Sequence, residues 1–153
     1  MNIFLLDENK EINAQYYVDK HVVKMILEYT LLLSCAFYYT NFVPPNIYRL
    51  CYPNHPASKW VRESLQNWIW LKDMTEQLIK EYEYRYNKTH KCKSIVQNMP
   101  VPNLENKGST PFRQIMPDDC KNDNVYIAYQ NYYIKYKSHL FSWKNRPIPH
   151  FIK

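Results

Sequence analysis

Apolar residues recur along this chain at helical spacing, in long runs broken by prolines and polar clusters. Residues 3–6, IFLL, are a short apolar run that reads as a small strand or an extended arm. Asp7 or Asn9 can then cap a helix over about residues 10–39, with Val18 as the point where it would bend. Residues 40–56 carry four prolines and form a loop. Pro56 starts a second long helix, about 57–86, with Trp60, Trp68, Leu71, Leu78 and Tyr82 on one side. Residues 87–124 are polar and proline-punctuated, with one short helix around 93–97; so long a loop in a small domain usually has a task. The last helix, about 123–143, aligns Val125, Tyr129, Tyr132, Tyr136, Leu140 and Trp143 in a stripe that reads as core, with Tyr126 and Tyr133 beside it, near enough to face a cleft. The pattern predicts an all-α, compact single domain over residues 1–153, with three main helices and long loops that supply a surface.

Composition narrows the function. The single glycine, Gly108, argues against phosphate-cradling glycine loops and dinucleotide fingerprints. Twenty Lys and Arg face 14 acids, a net charge of +6, which favours a polyanionic partner. Cys35, Cys51, Cys92 and Cys120 are widely spaced and form no CxxC, so reduced thiols are expected in place of a zinc site or a disulfide framework. No cofactor or metal is called for. No run reaches membrane-spanning length and the opening residues do not read as a signal peptide, so the expectation is a cytosolic or nuclear protein, monomeric or weakly dimeric.

The stretch DKHVVKMILE, residues 19–28, sets five ionisable groups into an otherwise apolar helix. On a helical wheel Tyr17, His21, Lys24 and Glu28 form one stripe, and Val22, Val23, Met25, Ile26 and Tyr29 occupy the other arc. The following residues, YTLLLSCAFY, are apolar nearly all round, so Glu28 falls where a solvent-facing groove closes into the core. A carboxylate at that boundary is partly desolvated and needs a cation or donors to stay charged. Spacing alone allows an ordinary solvated Glu–Lys face; the alternative is a cleft in which His21, Lys24 and Glu28 move protons or stabilise charge.

These blocks, with NHPASKWVRES, EYEYRYNKTHK and NYYIKYKSHLFSWKNRPIP, resemble small proteins of phages and large DNA viruses along nearly the full chain. A DxHxxxxxxE pattern at Asp19, His21 and Glu28, a lysine before the glutamate, and Asn54, His55, Pro56 followed by Trp60 also resemble the pyrimidine-dimer DNA glycosylases with AP-lyase activity. That resemblance implies a compact helical enzyme that binds duplex DNA, extrudes a base and cuts its glycosidic bond. An amine attacks the sugar C1′ while a carboxylate, here Glu28, stabilises the charged intermediate and moves protons. The family's amine is an N-terminal one freed by removal of Met. Asn2 is a large second residue that disfavours removal of Met1, so the resemblance implies an amine from Met1 or from a lysine such as Lys24, and without either the lyase chemistry is lost. The family's phosphate-gripping arginines beside the glutamate are absent from residues 25–29.

A DNA surface has candidates. In RYNKTHKCK, Arg85, Lys88, Lys91 and Lys93 accompany His90 with no acid among them, and Tyr84 and Tyr86 are interleaved. Four phosphate contacts would give a log–log salt slope of roughly −3 to −4. Lys20, Arg62, Arg113, Gln114 and Arg146 complete the expected nucleic-acid-binding set, with His55 read as a loop residue. Two rival readings remain: a non-catalytic binder of nucleic acid or of an acidic host factor, and an enzyme acting on a free nucleotide whose phosphates meet Lys88, His90 and Lys91.

Overall fold

The computed structural model describes residues 1–153. It is all-helical, with six α-helices in place of three: α1 (Lys10–Tyr16), α2 (Asp19–Phe37), α3 (Pro56–Glu63), α4 (Leu65–Tyr86), α5 (Lys93–Gln97) and α6 (Val125–Tyr136), with short 3-10 turns at Asp118–Cys120 and Ser138–Leu140. The starts follow the sequence closely. Asn9 caps α1 by accepting from Ile12 N at 3.0 Å, His55 Nδ1 accepts from Ala57 N at 3.0 Å ahead of Pro56, and Asn124 takes Tyr126 N at 2.9 Å.

The expected first helix breaks at Tyr17–Val18, where both residues are extended and fully buried. A helix end inside a core needs partners for its last carbonyls. Arg85, from the last turn of α4, supplies them: its Nη2 donates to Gln15 O at 2.9 Å and its Nη1 to Tyr17 O at 2.8 Å. The second helix breaks at Ser64, which is extended, because the loop after α5 bonds into the gap. Leu65 N donates to Glu105 O, Lys107 N to Ser64 Oγ, and Asn67 links Trp60 O to Thr110. The stripe of Trp60, Trp68, Leu71 and Leu78 crosses this break and is buried throughout. Helix α6 stops at Tyr136, short of Trp143, and the sequence-predicted stripe is rotated: Tyr129 and Tyr133 are buried while Tyr136 is 42% exposed.

Residues 3–6 are an extended arm and not a strand. All four are buried, yet side chains do the work of a strand partner. Leu6 N donates to Asn13 Oδ1 at 2.7 Å, Asn13 Nδ2 to Phe4 O at 3.1 Å, Phe4 N to Tyr29 Oη at 3.1 Å, and Gln130 Nε2 to Leu6 O at 3.0 Å. This threads the start of the chain between α1, α2 and α6 and brings Met1 beside the middle of α2. No helix is long and apolar enough to cross a membrane.

Candidate active site

Half-way along α2, Glu28 is half-buried beneath the start of the chain. It lines a cavity of about 150 Å³ together with Met1, Asn2, Phe4, His21, Lys24, Met25, Ile115, Tyr132 and Lys137. Met1, Lys24 and Glu28 also line an adjoining groove of about 410 Å³, completed by Val23, Leu27, Leu31, Tyr52, His90 and Lys91. The stripe on α2 and the basic loop after α4 therefore open onto one continuous concavity. Val23, placed on the core arc by the helical wheel, is 40% exposed and forms part of the groove wall.

Two carboxylates with oxygens sealed in this fold, the buried Glu81 and the half-buried Glu28, are treated in opposite ways. Glu81 is 4% exposed and fully paired: Oε2 accepts from Arg85 Nε at 2.7 Å and Arg146 Nε at 3.1 Å, and Oε1 from Arg146 Nη2 at 3.0 Å. Glu28 takes part in none of the fold's ion pairs, and its Oε2 is sealed from solvent with no hydrogen-bond partner. The one other buried side-chain oxygen without a partner, Ser58 Oγ, is a neutral hydroxyl. An unsatisfied charged acceptor costs more than about 1–3 kcal/mol, so stability alone does not account for Glu28.

His21 stacks on Phe4, with centroids 4.3 Å apart, and its Nδ1 lies 2.7 Å from Tyr133 Oη. Burial, and then the charges of Lys137, Lys24 and His139, push its pKa down to about 3. The imidazole is neutral in the folded protein at neutral pH. Unfolding restores the ordinary value near 6.5, so between pH 6.5 and 3 the unfolded chain binds the extra proton. His21 thus contributes stability that is complete above pH 6.5 and lost as pH falls toward 3. Urea titrations at pH 7 and pH 5 should show the wild type losing up to about 2 kcal/mol more than His21→Gln, and equal losses would refute this. His55, the α3 cap, is also held below its ordinary value, by burial and then by the N-terminal ammonium, with Glu28 opposing; both charges thus lie near its ring.

The remaining sequence candidates fall into two groups. Lys20, Lys24, Lys88 and Lys91 are exposed, and no carboxylate pairs with them. The others are engaged within the fold. Arg85 is 2% exposed and bound to Glu81, Asp19 and two carbonyls, while Lys93 is paired with Glu83 at 2.6 Å. Arg146 is paired with Glu81 and lies 3.8 Å over the Tyr84 ring. Arg62 lies 3.8 Å over the Tyr39 ring and donates to Pro53 O. Arg113 pairs with Glu63, Gln114 bonds the backbone of Asn122, and His90 is buried with Nδ1 accepting from Cys92 N. The predicted four-cation loop thus presents only Lys88 and Lys91 as unpaired cations.

Sequence reasoning missed Lys137 and Tyr52. Lys137 reaches the Glu28 cavity from just beyond α6, and its ammonium lies 5.2 Å over the Tyr132 ring. Tyr52, in the proline loop, is 64% exposed with a left-handed φ of 49° and walls the groove. Nothing in local spacing marks either. The largest concavity, about 800 Å³ between the proline loop and α5, is lined by Phe42, Pro44, Ile47, Tyr48 and Met99 among others, and contains no carboxylate, amine or imidazole.

A helical fold that brings an unpaired carboxylate, several amines and a neutral imidazole to one cavity has the groups for acid–base and imine chemistry on a polyanion. The chain belongs to the pyrimidine dimer DNA glycosylase family, whose sequence model matches residues 1–94. Its function at family level is therefore glycosylase-type DNA repair. The matched span holds Met1, His21, Lys24, Glu28 and Lys91, and ends before Lys137 and Tyr133. No curated protein and no solved structure matches the chain.

Proposed function

We propose that this chain excises a damaged or modified base from duplex DNA and then cleaves the abasic strand, with Glu28 as the proton-handling carboxylate. The observation that carries the reading is the Glu28 oxygen left without a partner in a cavity that also holds amines. A neutral amine, of Met1 or of Lys24, forms a bond to C1′ as the glycosidic bond breaks; the base leaves with that electron pair and takes up a proton. Opening of the sugar gives an iminium between C1′ and the amine, beside the negative Glu28, which stabilises it. Removal of a C2′ proton then expels the 3′ phosphate. The 410 Å³ groove has room for an unstacked base, with Tyr52 available as a stacking face and Lys91 on its wall for the backbone; the exposed Lys88, three residues earlier, lies outside the groove lining and is a second phosphate contact.

Borohydride reduction in the presence of dimer-containing or abasic duplex should trap a covalent adduct, and peptide mapping of that adduct identifies the amine. Unchanged DNA with no adduct would refute the reading and favour a binder without activity. Because Arg85 and Lys93 are internally paired, the loop after α4 should contribute about −2 to the salt slope, not −3 to −4, and Lys88→Ala with Lys91→Ala should remove that contribution. A slope near zero with tight binding of a mononucleotide would favour the nucleotide reading.

A further inference from the structure

Tyr133 sits in the middle of α6 with no exposed surface. Its hydroxyl has two neighbours: Val18 N at 3.3 Å and His21 Nδ1 at 2.7 Å. The Val18 N–H can only donate, so it points into the hydroxyl oxygen. The hydroxyl has one proton to place, and Nδ1 is the only acceptor within reach. A neutral imidazole carries a single N–H; with Nδ1 accepting, that proton is on Nε2. Nε2 has no protein partner and is not among the polar atoms sealed from solvent, so it opens onto the cavity that His21 lines.

We propose that Tyr133 is a positioning residue that locks His21 as the Nε2–H tautomer, making His21 a hydrogen-bond donor to a sugar or phosphate oxygen of the bound strand and not a base. The identity of that ligand rests on the function proposed above; the tautomer rests on the hydrogen-bond geometry at Tyr133 and on the neutrality of the buried ring. The groups that face His21 agree with a neutral ring: Phe4 of the arm stacked on it, Lys24 on its own helix, and Lys137 beyond α6 as a nearby cation, with His139 close by. Glu28 and the Met1 amine share its cavity. With the imidazole committed to donating, Glu28 is left as the group that accepts protons there. The division of labour is fixed by a residue 112 positions from His21 in the chain.

Nitrogen-15 NMR of the histidine-labelled protein reads the tautomer directly. We expect an unprotonated Nδ1 and a protonated Nε2 from pH 5 to 8 in the full chain; a proton on Nδ1, or a ring that charges in this range, overturns the proposal. In Tyr133→Phe the preference should vanish and kcat for base excision should fall about tenfold, roughly the worth of one hydrogen bond, with KM little changed. His21→Gln keeps a side-chain N–H but cannot act as a base, so it should retain most of kcat, and a dead His21→Gln overturns the donor role. If Tyr133→Phe does not fold, the wild-type spectrum and His21→Gln decide the matter. If the chain has no activity on DNA, the spectrum still tests the Tyr133 lock, so failure of the function and failure of the lock are separable.

Discussion

Glu28→Gln should reduce base excision by about 10²- to 10⁴-fold while leaving duplex binding and its salt dependence unchanged. The amide is nearly isosteric with the carboxylate, so the cavity keeps its shape. What is lost is a negative charge beside the developing iminium and a group able to take a proton. Stability makes the test sharper. In the wild type one Glu28 oxygen is sealed without a partner, and the substitution removes that charge without removing any hydrogen bond to Oε2. The variant should therefore unfold at the same urea concentration as the wild type or a higher one. An ordinary structural carboxylate behaves in the opposite way, since its partners are left unpaired. Single-turnover cleavage together with urea titration decides between them: full activity with lost stability would make Glu28 a structural residue.

Arg85→Ala should be the most destabilising change at any residue that the sequence marked for DNA, by about 3–5 kcal/mol. Domains of this kind have only about 5–15 kcal/mol in total, so much of the fold's margin goes with it. The guanidinium makes four hydrogen bonds: to Glu81 Oε2 at 2.7 Å, Asp19 Oδ1 at 3.0 Å, Tyr17 O at 2.8 Å and Gln15 O at 2.9 Å. Truncation takes a donor from each, and two of them, Glu81 Oε2 and Tyr17 O, are buried. Asp19 has further duties, accepting from Ser142 Oγ at 2.7 Å and Lys144 N at 2.8 Å, so the loss also loosens the C-terminal segment that carries Lys137 toward the cavity. Lys at position 85 should not rescue, because one ammonium cannot span four acceptors laid out for a planar fork. Lys88→Ala, on the exposed loop, should change stability by no more than about 0.5 kcal/mol. Urea denaturation of the two variants checks both figures, and equal small effects would mean that Arg85 does not bridge α1 and α2.

The second test matters because RYNKTHKCK reads in sequence as a uniform basic tract. Its cations have different fates for reasons that lie elsewhere in the chain. Arg85 falls on the inner face of α4 at the point where α1 ends, Lys93 meets Glu83 one turn before the helix stops, and only Lys88 and Lys91 are left beyond the left-handed Asn87 that ends α4. Charge runs report composition, and a run does not say which members have partners.

The sequence by itself determined the helical period, a cap just ahead of residue 10, the helix start at Pro56, the short helix at Lys93–Gln97, and the placing of His21, Lys24 and Glu28 within two turns of one helix. These depend on bonds and spacings within a few residues, which local order fixes. The sequence marked a bend at Val18, but tertiary structure decided that it is a full break and that a second falls at Ser64, because Arg85 and the loop at 105–110 arrive there to satisfy the backbone. It also decided that the apolar start of the chain lies as an arm and not a strand, that Lys137 joins the Glu28 cavity, and that Tyr133 faces His21. Each of these needs a donor and an acceptor brought together from far apart in the chain, and no periodicity in one segment records where the other will be.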